Sequence, residues 1–184
     1  MKEIVYCTYF DQYYLLKGLA LYASLTKYNP EAKLWILCMD DYTYSILKAI
    51  QLKNVKLITL SEFEDRYLLA AKKNRTPLEY YWTCTPSLPL YVFQSYKRCN
   101  YAVYIDTDLF FYASCDNIFT EIAENSIYVV EHRYPSDQMY RISKQGRFNV
   151  GILAFRNDEQ AKRCLVRWRN QCIKWCYFRE EDGK

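Results

Sequence analysis

Short apolar runs separated by helix-length stretches constrain this chain more than any other feature. Six of them, "EIVYCT" (3–8), "KLWILCM" (33–39), "VKLITL" (55–60), "YAVYID" (101–106), "SIYVV" (126–130) and "NVGILAF" (149–155), are rich in β-branched and aromatic residues and read as buried strands. Between the first two, "YYLLKGLALYASLTKY" sets Leu15, Leu19, Tyr22 and Leu25 at helical spacing, and Asn29-Pro30 ends the pattern. A second helix fits residues 42–52. "SEFEDRYLLAAKK" reads as a third, with Ser61 as cap and Glu64 completing a capping box. Pro86 and Pro89 interrupt the next stretch, so a helix is expected there largely after Ser87. The last element runs over 159–177 and carries Ala161, Leu165, Trp168, Cys172 and Trp175 on one face, which reads as core packing. Strands and helices alternating in this way require crossover connections. The expected fold is therefore α/β, a mainly parallel central sheet with helices on both faces.

A chain of 184 residues is long enough for one domain with a real core, and its 51% apolar content argues against disorder. The net charge of +4 is dispersed apart from "KRCLVRWRNQCIKW" (162–175). That stretch reads as a solvated helix face, and no nucleic-acid partner is expected. The N-terminus lacks a signal-peptide core and no segment approaches the ~20 apolar residues of a membrane helix. A cytoplasmic location follows as the expectation, with peripheral membrane contact left open. Eight cysteines include no Cys-x-x-Cys pair, and Cys7 and Cys38 sit inside strand-like runs, so free, buried thiols are expected. With His132 the single histidine, a Cys/His zinc site is not expected.

The stretch "YIDTDLFFYASCDNIF" (104–119) raises the chemical question. Ligands of open α/β sheets bind at the carboxyl ends of the strands, and Asp106 and Asp108 fall at such an end. On an extended strand, residues two apart point to one side. Two carboxylates so close raise each other's pKa unless a cation offsets them. A hard divalent ion, Mn²⁺ or Mg²⁺, held by both and completed by a substrate diphosphate, resolves the conflict. The alternative is a plain turn, because Asp favours strand ends.

The order of "IVYCTYFDQY" (4–13), "TCTPSLPLYVF" (83–93), "YIDTDLFF" (104–111) and "FNVGILAF" (148–155) resembles the nucleotide-sugar glycosyltransferases of the GT-A fold. The likeness is strongest to the family 8 type, which includes glycogenin and the bacterial lipopolysaccharide galactosyltransferases, and it covers nearly the whole chain. The resemblance implies a metal-dependent transfer of a hexose from a nucleotide-diphosphate sugar, a UDP-sugar first, to a carbohydrate or glycolipid acceptor. It implies that Asp106 and Asp108 hold the metal, with Asp106 also near the ribose. It implies that Cys7, Thr8, Asp11 and Tyr13 form the loop around the base, Tyr13 stacking on it. Asn149 and Gly151 match the element near the transferred sugar, and Glu131 and His132, with Arg133, are candidates to bond donor sugar or acceptor. One glycosyltransferase-like domain over 1–184 is implied, its nucleotide-binding half (1–108) ending in the D-x-D and its sugar and acceptor half beginning at 109.

Departures from the family's pattern temper those expectations. Tyr9 and Phe10 stand where the family has an acidic residue, and Ser87 or Pro89 where it has an arginine. The family's late histidine ligand has no counterpart here, which points to a third metal ligand beyond Lys184 and a C-terminally incomplete domain, with "EEDGK" (180–184) approaching a further loop. Two alternatives stay open: a nucleotide-sugar-binding relative without turnover, and a phosphatase of the haloacid dehalogenase type.

Overall fold

The computed structural model describes residues 2–122 and 125–179. Six strands form one sheet: β1 (Ile4–Phe10), β2 (Lys33–Cys38), β3 (Val55–Thr59), β4 (Tyr101–Ile105), β5 (Ile127–Glu131) and β6 (Phe148–Arg156). Their spatial order is β3-β2-β1-β4-β6-β5. The β1–β2, β1–β4 and β2–β3 pairs are parallel, whereas β6 runs antiparallel between β4 and β5. The sheet is thus mostly parallel, as the alternation of strand and helix requires.

Helices cover both faces. On one side lie α1 (Leu15–Tyr28), α2 (Asp41–Ile50) and α7 (Asp116–Ile122), over Tyr6, Phe10, Leu34, Ile36, Val103 and Ile105. On the other lie α3 (Leu60–Phe63), α4 (Arg66–Lys72), α5 (Pro77–Cys84), α6 (Ser87–Ser95) and α9 (Glu159–Lys174), over Val5, Cys7, Trp35, Leu37, Ala102 and Tyr104. Alternate residues of β1 and β4 feed opposite cores, as a strand buried on both faces must. A short helix, α8 (Arg141–Gln145), lies in the β5–β6 connection. Each fully buried Leu or Ile contributes about 1.5–3 kcal/mol relative to exposure.

Several expected elements are corrected. The stretch 61–73 is two helices, and the cap of the first is Thr59, not Ser61. Thr59 and Glu62 form the reciprocal box, while Asp65 caps α4 through Tyr67 and Leu68 backbone N–H groups. Glu64 instead accepts from Lys72 and from the Tyr80 hydroxyl, both at 2.7 Å. Before Ser87 the chain is already helical as α5, opened by Thr76, with Pro77 at its start and Glu79 closing a capping box. Pro86 and Pro89 fall at the cap and first turn of α6, where N–H groups have no intrahelical acceptor to lose. The last helix stops at Lys174, leaving Trp175 as its extended C-cap. All eight cysteines are free, and Cys164 is exposed with Cys172 and Cys176 half-buried, so burial holds for the other five alone.

Candidate active site

The strand order reverses between β1 and β4: from β1 the chain winds outward to β2 and β3, and from β4 to the other side. Ligands of open sheets bind in the crevice at this switch point. Here the carboxyl ends of β1 and β4 open into a cavity of about 480 Å³, within the range of small-molecule sites. Asp11, Tyr13, Asp106 and Asp108 line it together, with Tyr9, Tyr81, Trp82 and Tyr104 among its aromatic walls.

Each wall has a local cause. After β1, Asp11 caps a single 3-10 turn, its Oδ1 accepting from Tyr13 and Tyr14 backbone N–H at 3.0 and 3.3 Å. Its Oδ2 accepts from the Tyr81 hydroxyl at 3.0 Å, and Asp40 accepts from Gln12 N–H at 2.8 Å. This pinned turn leaves the Tyr13 ring 83% exposed. Gly18 lets α1 close onto β1, since a Cβ there would lie 2.4 Å from the Phe10 ring.

After β4 the chain turns at once. Leu109 N–H donates to the Asp106 carbonyl at 3.1 Å, so the two aspartates sit in a turn rather than on an extended strand as expected. Thr107 anchors the turn inward, its hydroxyl donating to the Tyr9 carbonyl at 2.7 Å and meeting Thr8 Oγ1 at 3.0 Å. Asp106 and Asp108, to either side of it, both reach the cavity. Asp106 is half-buried and Asp108 exposed. Burial raises the Asp106 pKa; the Tyr104 hydroxyl, donating at 2.7 Å, opposes this, and the Asp108 charge adds to it. Burial likewise pushes Tyr9 up to about 12 and Tyr81 well above its ordinary value, so both are neutral hydroxyls at neutral pH.

The remaining candidates are placed differently. Cys7 and Thr8 are wholly buried and do not line the cavity; Cys7 belongs to the core beneath the sheet and Thr8 braces Thr107. Gly151 stands beside the aspartates, its carbonyl accepting from Asp106 N–H at 2.8 Å. It lies in a bulge, because Val129 opposes Leu153 while Val130 opposes Asn149. Asn149 Oδ1 accepts from Gly151 N–H at 3.3 Å. Glu131 is paired with Arg147, and the His132 ring stacks on Tyr134 with centroids 4.1 Å apart. These two are not brought to the cavity wall. Residues 180–184 lie outside the described residues.

Sequence reasoning missed the α5 wall of Pro77, Leu78, Tyr81 and Trp82. The signal was Thr76-Pro77-x-Glu79, a capping box with proline at the first position. It also missed Tyr104 and Thr107, which bracket Asp106.

The donor set suits a hard divalent cation. Among the described residues, three aspartates and no lysine or arginine line the cavity, and carboxylate oxygens are the ligands that Mg²⁺ and Mn²⁺ prefer. Among the described residues, no group of three or more His, Cys, Asp or Glu side chains is arranged to hold an ion. Asp106 and Asp108 would supply two positions, leaving the others to substrate and water.

A mostly parallel sheet, helices on both faces and an acidic cavity at the switch point define a GT-A-type α/β domain. The chain matches glycosyl transferase family 8 over residues 4–183 and belongs to that family. It is 32% identical over 176 residues to "Uncharacterized protein YfnD" of Bacillus subtilis (strain 168), covering 96% of this chain and 57% of that protein. The chain spans 57% to 61% of the length of the curated relatives it matches. Among solved structures it is similar to the galactosyltransferase LgtC in complex with donor and acceptor sugar analogs, with TM-score 0.61 and 14% identity over 92% of this chain and 63% of that one. The glycosyltransferase GlyE of Streptococcus pneumoniae TIGR4 follows at TM-score 0.55 and 16% identity, over 98% and 41%. Family membership leaves the haloacid dehalogenase alternative without support. Among the described residues, no helix is long and apolar enough to cross a membrane.

Proposed function

We propose that this chain carries the donor site of a glycosyltransferase that moves a hexose from a nucleotide-diphosphate sugar, a UDP-sugar, to a carbohydrate or glycolipid acceptor in the cytoplasm. One observation carries the reading: an aromatic cavity at the β1/β4 switch point whose charged lining among the described residues is acidic, Asp11, Asp106 and Asp108. An anionic diphosphate enters such a cavity only with a cation. Asp106 and Asp108 would hold Mn²⁺ or Mg²⁺, which when bound supplies neutralisation of the charge developing on the departing diphosphate.

The chain's own residues do the rest. Tyr13 offers an exposed ring to the base, and Asp11 holds the turn that presents it while fixing Tyr81. Cys7 and Thr8 act on that loop through the backbone and through Thr107 rather than by touching the base. Gly151 orients Asp106, and Asn149 beside it is assigned to the transferred sugar. Glu131 and His132 are assigned to the acceptor side, at the carboxyl end of β5. Residues 1–108 then form the nucleotide half, and 109–184 begin the sugar and acceptor half.

Transfer separates an enzyme from a binding relative. UDP release from UDP-glucose and UDP-galactose, followed with Mn²⁺ and a panel of sugar acceptors, is expected to be stimulated by at least one acceptor and abolished by chelator. Metal-dependent donor binding with no release under any of these conditions would favour the non-catalytic relative.

A further inference from the structure

Asp106 is held by more than its own backbone. Its Oδ1 accepts from the Tyr104 hydroxyl at 2.7 Å. An ionised carboxylate is acceptor only, and a tyrosine hydroxyl has one proton, so that contact uses the Tyr104 proton. The Tyr9 ring packs against the Tyr104 ring, with centroids 5.8 Å apart. The Tyr9 hydroxyl in turn meets Thr85 Oγ1 at 3.0 Å, and Thr85 also donates to the Tyr81 carbonyl at 3.5 Å. Tyr104 is thus held over Asp106 by Tyr9, which Thr85 fixes from the far side. Tyr104 and Thr85 are 2% and 3% exposed, so bulk water does not compete for their hydroxyls.

We propose that Tyr104, braced by Tyr9 and Thr85, is a positioning residue for the metal ligand: its hydroxyl takes up one lone pair of Asp106 Oδ1, which biases Asp106 to bind a cation through Oδ2. The inference rests on the reading of Asp106 as a metal ligand. It adds that the site's metal preference is set partly by residues that touch neither metal nor donor, with Thr85 at the α5–α6 junction as the far end. A carboxylate biased to one oxygen suits the compact octahedral shell of Mg²⁺. Ca²⁺ accepts bidentate carboxylates and irregular shells. Releasing Oδ1 should therefore relax discrimination as well as weaken binding.

The test is UDP titration into the full chain with saturating Mg²⁺ or Ca²⁺, for wild type, Tyr104→Phe and Thr85→Val. Tyr104→Phe keeps the ring and removes one hydroxyl. It is expected to weaken Mg²⁺-dependent UDP binding about 10–100-fold, as loss of a ligand's outer partner does, and to narrow the Mg²⁺ over Ca²⁺ preference. Thr85→Val, which leaves Tyr104 in place and guards against a folding defect in the first variant, should move both quantities the same way by less. If wild type binds UDP with Mg²⁺ and both variants match it in affinity and in the Mg²⁺/Ca²⁺ ratio, the positioning role is wrong. If wild type binds UDP with neither ion, the assignment of Asp106 as a metal ligand itself falls.

Discussion

Tyr13 and Gly18 show how single residues shape the cavity, the first by lining it and the second through Phe10. Tyr13 is 83% exposed while its backbone is tied to Asp11, which leaves its ring open to a ligand at the cavity mouth. Tyr13→Ala is expected to weaken UDP binding by about 1–3 kcal/mol, the usual worth of a base stacked on an aromatic ring, with little change in urea stability. An unchanged calorimetric Kd would return Tyr13 to the role of a surface residue. Gly18 acts through Phe10, which also lines the cavity. Gly18→Ala should lower stability by about 1–3 kcal/mol in urea unfolding, as overpacking does, and weaken UDP binding by displacing the Phe10 ring. The two differ in how legible they were: the resemblance picked out Tyr13 after the first strand, whereas Gly18 looked like any helical residue between Leu15 and Leu19. Asp106 and Asp108 stood out because they follow an unbroken apolar strand. The turn that carries them stood only as the alternative to an extended strand, because a two-residue period continues on paper past the point where Leu109 N–H closes back on Asp106.

At the scale of elements, capping chemistry decided what apolar periodicity could not. Periodicity, with a capping box misplaced at Ser61 and Glu64, merged α3 with α4 and hid α5, since a four-residue helix is too short to show a face and prolines looked like breaks. The boxes Thr59–Glu62 and Thr76–Glu79 mark both helix starts in the sequence. Glu79 does further work, because its Oε1 also accepts from Phe178 N–H at 2.8 Å, joining α5 to the segment after α9. That bond, then those to Thr76 N–H and the Thr76 hydroxyl, hold its pKa below the usual carboxylate value. A group depressed on folding stabilises the protein above its unfolded pKa, about 4.3, and that contribution fades as pH falls through the folded value. Glu79→Gln should therefore lower the thermal midpoint at pH 7 and show a shallower decline than wild type between about pH 4.5 and pH 3. Equal acid limbs for the two proteins would place the stabilisation elsewhere.

Across the whole molecule, the legible part was the architecture: six strands and their helices were visible because buried strands are apolar throughout and because crossovers leave few topologies. The reversal of β6 was not visible, since an apolar run carries no sign of direction and the register is settled by β4 and β5 on either side, whereas a bulge at Gly151 is one reading that a glycine inside a strand invites. That reversal matters, because it brings the Gly151 carbonyl onto Asp106. The central claim is that the acidic switch-point cavity binds a nucleoside diphosphate through a divalent cation. Calorimetric titration of UDP with Mn²⁺, and with chelator, into wild type and Asp106→Asn/Asp108→Asn tests it most directly. The account predicts binding in wild type with Mn²⁺ and its loss both with chelator and in the double variant. Equal binding without metal, or undiminished binding by the double variant, would contradict it.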